Sequence, residues 1–426
     1  MQAAQTSAEL AQPNRANLQA AVWWLAAIAL TFAVLVLRRP DAVLNPQFYA
    51  DDGHTWFQQA YNEGAARSLF HIYGGYFQVL SRLAAVSALG VPLLRAPLVM
   101  NLMALLVEAL PPLFLLSPRM RNIGRLALRG LLALLYLTVP KAPDVHANIT
   151  NAPLNLALLA FLVVIAEPPA SLAGRIFDVV LLTLMALTGP ACILLFPVTL
   201  LVAAKRRQGW TLVLLSIVGS GSIVQGVALL MTGERLHQTL GASFPRFCRI
   251  VAGQVVLPVV QGRNRLDQLA HSPAGALVPA CLITALTAML LLYALWRGSL
   301  ELRSFILFAS LLLAAALAFP TPNATSDHWG PMMAPGGAGR YWYIPGLALM
   351  AILLWLLGRQ RPAALRLVGA ILLSCMIYGA TKHWRFASFP DLHFPDYAQQ
   401  FERLPPGSSI EIPLNPPGWS MTLTKK

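Results

Sequence analysis

SLFHIYGGYFQVLSRLAAVSALG, residues 68–90, is the stretch on whose reading the architecture turns. It is apolar enough to count as a membrane span. Yet His71, Gly74, Gly75, Gln78, Ser81 and Arg82 recur at helical spacing, opposite Ile72, Tyr73, Tyr76, Phe77, Val79 and Leu83. A polar stripe set against an apolar face predicts a helix lying in the membrane interface. Outward from it the chain carries apolar runs at Ala20 to Leu37, Ala96 to Leu116, Leu126 to Val139, Pro153 to Ala166, Ile176 to Thr188, Ala191 to Ala204, Thr211 to Met231, Ala274 to Trp296, Phe305 to Phe319, Tyr343 to Leu357 and Leu365 to Ala380. The longer ones reach the roughly 20 residues that a helix needs to cross a hydrocarbon core of about 30 Å.

Composition agrees. Of 426 residues, 57% are hydrophobic and only 11% charged, against about 25% charged in ordinary soluble domains. A soluble enzyme with one anchor is excluded, and the short alternating segments of a membrane barrel are absent. The fold expected is an all-α polytopic membrane protein of about eleven transmembrane helices, with interfacial helices in the first outer loop. The run from Ala20 has no small-residue cleavage site before Arg38 and Arg39, so it reads as an uncleaved first span.

The net charge of +14 is dispersed, which argues against a nucleic-acid partner and for membrane lipids and phosphate-bearing substrates. Cys192, Cys248, Cys281 and Cys375 are far apart in sequence, and no disulfide framework or metal cluster follows.

Taking 68–90 as interfacial fixes the side of every later loop. The basic turns Arg119 to Arg129, Lys205 to Arg207, Arg297 to Arg303 and Arg359 to Arg366 then share one side, cytoplasmic by the positive-inside rule. Residues 1–19 lie on that side too. Residues 20–380 form the membrane domain, with 38–95 as its first outer loop, and 381–426 form a short outer tail. That tail is too small for a large core of its own. Arg38 and Arg39, on the outer side, run against the rule.

Candidate chemistry collects in the outer loops. In NPQFYADDGHTW, residues 45–56, Asp51 and Asp52 stand side by side before a short helix, with His54 just beyond. Adjacent carboxylates repel, which suits one of them to act as a general base; a helix N-cap is the alternative. The second outer loop crowds Asp144, His146, Asn148 and Asn151 at the mouth of a span, either as a polar site or as a solvated turn. The fourth ends in Arg340, Tyr341, Trp342 and Tyr343. An arginine among interfacial aromatics either binds a lipid phosphate or anchors the helix by snorkelling. The third outer segment, with Arg246 and Arg263 among its cations, is either an anion-binding surface or a headgroup contact. Glu108, inside a span, has to be neutral, paired or facing a polar cavity.

The acidic pair after the first span, the interfacial helices and the late outer arginine resemble the GT-C class of membrane glycosyltransferases, which take sugars from polyprenyl phosphate carriers. The resemblance implies Asp51 as catalytic base, with Asp52 second. It also implies a phosphate site at Arg340, Tyr341 and Tyr343, and substrate contacts among His54, Asp144, His146, Asn148, Asn151, Arg246 and Arg263. It implies a sugar on an undecaprenyl-type carrier as donor. The acceptor would be a cell-envelope glycan, lipopolysaccharide or protein outside a bacterial inner membrane. Inverting displacement from a monophosphate requires no cofactor; some class members bind a divalent metal, and these residues do not call for one. The rival reading is a transporter or flippase of lipid-linked or anionic substrates using Glu108 and the outer arginines.

Overall fold

The computed structural model describes residues 15–139, 143–232, 239–261, 277–320, 327–333 and 338–426. Every expected run is a helix: α1 Arg15–Arg38, α2 Ala96–Leu116, α3 Leu126–Thr138, α4 Ala152–Ile165, α5 Leu172–Ala186, α6 Ala191–Arg206, α7 Gly209–Thr232, α8 Leu277–Arg297, α9 Leu300–Ala318, α10 Gly339–Leu356 and α11 Ala363–Lys382. Seven of these, α1, α2 and α7 to α11, are long and apolar enough to cross a membrane. The remaining four, α3 to α6, have 13 to 16 residues, about 20 to 24 Å at 1.5 Å per residue. The chain is an all-α polytopic membrane protein.

Contacts near the helix ends sort several turns into two groups. At one end Arg119 grips Asp178 with two bonds of 2.7 and 2.8 Å. There Arg206 also reaches Glu301 at 3.1 Å, and Asn122 donates to the Ile165 carbonyl at 2.7 Å. The turns after α2, α4, α6 and α8 therefore meet. At the other end the first loop touches the α3/α4 turn, the α5/α6 turn and the tail. Val79 donates to the Leu187 carbonyl at 3.1 Å, Gly189 to the Phe77 carbonyl at 2.7 Å, and Ala50 to the Asn415 carbonyl at 2.5 Å.

Apolar on all sides, α4 is the central helix, with every residue but Pro153 and Leu154 buried. The outer helices α1 and α8 leave Leu25, Leu30, Leu282, Leu286 and Leu292 exposed for lipid. Within α2, Pro112 has no N–H for the carbonyl of Glu108 four residues back. The Tyr136 hydroxyl of α3 satisfies that carbonyl at 2.7 Å.

Arg38 and Arg39 do not face solvent or lipid. Both are buried: Arg38 donates to the carbonyls of Leu137 and Val139 at 2.6 and 2.8 Å, and Arg39 to that of Pro143 at 3.2 Å. Arg38 also lies 4.1 Å from the Phe386 ring centroid, and Arg39 4.2 Å from that of Phe389. Their charge is consumed in fastening the first span to the second outer loop and the tail, which accounts for their position against the charge rule.

The single helix expected over 68–90 is a correction. Helix Ala65–Leu69 stops, Tyr73 and Tyr76 pair as an antiparallel bridge, and a second helix runs Val79–Ala88. Gly74 and Gly75 take φ of 60° and 88°, backbone that a helix does not allow and glycine adopts freely. Ser81 and Arg82, expected on a polar outer stripe, are fully buried. Interfacial helices in the first loop are present as several short pieces rather than one long one.

The tail forms helix Phe394–Arg403 and a hairpin of β1 Ser409–Leu414 and β2 Trp419–Thr424, pairing Ile412 with Met421. It docks on the first loop, where Asn62 and Gln58 bond the outer edge of β2 through Thr422 and Thr424. Gly53 makes this possible: a Cβ there would meet Leu414 at 2.8 Å and Phe48 at 3.0 Å.

Candidate functional site

Asp51 and Asp52 open a wide helical turn, Asp52–Phe57, that continues as helix Gln58–Glu63. Such π-type turns recur at functional sites. Neither carboxylate caps this helix. Asp52 is fully buried and reaches across to the second loop, accepting the Ile149 N–H at 3.1 Å, the Thr150 N–H at 2.8 Å and the Thr150 hydroxyl at 2.5 Å. Burial pushes its carboxyl up to about 7, against the opposing pull of the Thr150 and Ile149 donors. It fastens two loops together and is buried from solvent.

Asp51 is half-buried, and its Oδ1 accepts two hydroxyls, Thr55 Oγ1 and Tyr73 Oη, each at 2.8 Å. Among the described residues Oδ2 accepts no bond. Burial, then the neighbouring Asp51, raises the Tyr73 phenol to about 12, so it stays a proton donor at neutral pH. His54 is exposed; its Nδ1 lies 2.6 Å from the Ser420 carbonyl, with its ring edge-on to Trp419 at 5.5 Å.

The second loop is mostly scaffold. His146 is 1% exposed, and its Nδ1 lies 2.9 Å from Glu108 Oε1, while Ala147 N–H bonds the other carboxylate oxygen at 3.3 Å. Glu108 is therefore paired. Asn148 and Asn151 are buried and spend their amides on the Asp144 carbonyl at 2.8 and 2.7 Å. Of the residues expected as substrate contacts, His146 is thus turned to α2, while the Asn148 and Asn151 side chains bond within their own turn. Asp144 is half-buried, and its carboxylate packs against Gly339, where any Cβ would collide with it. That contact brings the second loop against the start of α10.

Arg340, half-buried, is the second residue of α10, 5.2 Å from the Tyr341 ring centroid. Tyr341, Tyr76 and Tyr49 are its electrostatic neighbours, which places it beside the first loop. Tyr49 in turn stacks on Phe389 at 5.2 Å, and burial, then Asp144, raises its phenol to about 12. Tyr343 points the other way. It is buried and donates to Asn155 of α4 at 2.9 Å. Arg246 bonds Asp327 at 2.8 Å, and that hydrogen bond, then the one from the Gly330 N–H, holds the Asp327 carboxyl below the usual range. It joins the third and fourth outer segments. Arg263 lies outside the described residues.

Sequence reasoning missed Thr55, Tyr73, Tyr49 and Tyr76. The available signal was Gly74-Gly75 between two tyrosines, a turn signature read as part of a helix. Strain also marks the site. Ala50, Ala147 and Ala338, next to Asp51, His146 and Gly339, take left-handed φ of 46°, 54° and 51°. Non-glycine residues hold that conformation only where surrounding structure imposes it.

Among the described residues no three His, Cys, Asp or Glu side chains gather to hold a metal. No known protein family and no curated protein matches the chain. Among solved structures it is similar to the oligosaccharyltransferase of Archaeoglobus fulgidus in its apo form, at 13% identity and a TM-score of 0.46. The match covers 90% of this chain and 58% of that one. No residue role transfers at that identity.

Proposed function

We propose that the chain is a membrane glycosyltransferase that moves a sugar from a polyprenyl monophosphate carrier to an acceptor hydroxyl at the first-loop end of the bundle. The observation that carries this reading is the Tyr73-Gly74-Gly75-Tyr76 hairpin. Tyr73 bonds Asp51, Tyr76 neighbours Arg340, and the two tyrosines are directly paired across the turn. Paired residues of an antiparallel bridge project to the same face, so one element sets a carboxylate and a guanidinium on one side.

In the proposed reaction Oδ2 of Asp51 takes the proton of the acceptor hydroxyl, and that oxygen bonds the anomeric carbon with inversion. The bond from carbon to the carrier oxygen breaks with its electron pair going to the phosphate, whose growing charge Arg340 meets. The chemistry requires no metal. The carrier would be an undecaprenyl-type lipid, and the acceptor a cell-envelope glycan, lipopolysaccharide or protein on the periplasmic face of a bacterial inner membrane. Transport has less support, since Glu108 is paired with His146.

The test is release or transfer of labelled sugar from a polyprenyl monophosphate donor by the purified protein. Asp51→Asn, which keeps Oδ1 for Thr55 and Tyr73, should bind carrier normally and lose about 10² to 10⁴ in rate. Near-normal turnover by Asp51→Asn overturns the reading.

A further inference from the structure

We propose that Tyr73 is a positioning residue that fixes the Asp51 carboxylate so that Oδ2 alone is presented to the acceptor. This rests on the base assigned above. Both donors to Asp51, Tyr73 and Thr55, converge on Oδ1 at 2.8 Å. A carboxylate with one oxygen doubly held cannot rotate without breaking two bonds to a charged acceptor, and such bonds are the stronger class.

Tyr73 is itself held by restraints that do not involve Asp51. Its ring lies edge-on to Trp56, centroids 4.9 Å apart, and its backbone pairs with Tyr76 through bonds of 3.1 and 3.3 Å. Trp56 is 2% exposed, with its indole N–H on Thr150 Oγ1 at 3.2 Å. Behind it the fully buried Arg82 guanidinium stands 4.8 Å from the ring, fixed by Gln59 at 2.5 Å and the His71 carbonyl at 3.3 Å. A flexible surface tyrosine has no need of a buried arginine and tryptophan stacked behind it. With its phenol raised to about 12, Tyr73 keeps its proton over the whole working range and can donate it to Asp51. The residue is 37% exposed, so the hydroxyl's partner Asp51 lies beside a surface-reaching side chain and not in the sealed core.

Tyr73→Phe removes the hydroxyl and keeps the ring on Trp56. With a polyprenyl monophosphate sugar donor, kcat should fall about tenfold or more while donor KM and the melting temperature stay at wild-type values. Thr55→Val, which deletes the other donor to the same oxygen, should give the same split. In an Asp51→Asn background Tyr73→Phe should cost nothing further, because its effect runs through that carboxylate. Full kcat in Tyr73→Phe overturns the proposal while leaving the base intact. So does a loss that multiplies with Asp51→Asn or moves donor KM, the mark of a residue that only shapes the pocket. A wild-type protein that releases no sugar removes both this proposal and the reading it rests on.

Discussion

Thr150 gives Asp52 two donors at once, its N–H at 2.8 Å and its hydroxyl at 2.5 Å, across 98 residues of sequence. This contact separates two acids that are chemically alike. Asp52 is turned inward as a fastener between loops, and Asp51, one residue earlier, is half-buried and bonded to Thr55 and Tyr73 of its own loop.

Asp52 should make stability depend on pH in an unusual direction. Its carboxyl is raised from 3.8 to about 7, so between those values the folded chain keeps a proton that the unfolded chain has lost. Stability from this group is full below about pH 4, declines as pH rises, and levels off above about 7. Asp52→Asn does not titrate and places an amide against buried N–H donors, a mismatch of about 1 to 3 kcal/mol. Thermal melts of both proteins from pH 4 to 8 should show the margin of wild type over Asp52→Asn shrinking toward neutrality. A margin that grows with pH would mean the three donors outweigh burial.

The bundle was legible in the sequence because membrane helices declare themselves by apolar length, and all eleven runs became helices. The loops were less legible, for two physical reasons. A polar stripe at helical spacing is also what a turn flanked by short helices leaves, and only Gly74 and Gly75 told them apart. The polar residues of the second loop looked like a site because sequence does not reveal that Asn148 and Asn151 spend their amides on the Asp144 carbonyl. Asp51 and Arg340 stood out because each brought an unexpected charge to an aromatic loop. Their proposed juxtaposition rests on Tyr73 and Tyr76, whose pairing has no signature apart from the turn between them.

The tail should prove integral to the first loop rather than an appendage. Gly53→Val drives a branched side chain into Leu414 and Phe48, and overpacking of this kind costs about 1 to 3 kcal/mol. Limited proteolysis should then cut the tail after residue 382 faster than in wild type, and sugar transfer should fall with it. Adding Leu414→Ala should restore part of both. Unchanged protection in Gly53→Val would show that the hairpin is not seated on this helix.

Labelling with an impermeant thiol reagent tests the two ends of the bundle. In a background lacking the native cysteines, Phe70→Cys and Arg121→Cys, both exposed, should react from opposite faces of the membrane. His146→Cys, expected from sequence alone to label with the first loop, should resist reagent from either face until the protein is unfolded, because the position is 1% exposed. Labelling of Phe70→Cys and Arg121→Cys from one face would contradict the alternation of the helices.

Arg340 and Arg246 are the two outer cations between which the proposed phosphate site has to be decided. Arg246 is already paired, with Asp327 at 2.8 Å and the Gly241 carbonyl at 2.8 Å, so a phosphate would have to displace an existing carboxylate. Arg340 stands at the start of α10 with Tyr341, Tyr76 and Tyr49 as electrostatic neighbours. A guanidinium at that place would meet a phosphate through two parallel bonds. Lysine keeps the charge but loses that fork. Affinity for polyprenyl monophosphate should therefore drop about tenfold in Arg340→Lys and further in Arg340→Ala. The same two substitutions at Arg246 should lower the melting temperature with little change in carrier affinity. Equal carrier binding in wild type, Arg340→Lys and Arg340→Ala would reduce Arg340 to an interfacial anchor, and a large affinity loss confined to Arg246 would move the phosphate site to the third outer segment.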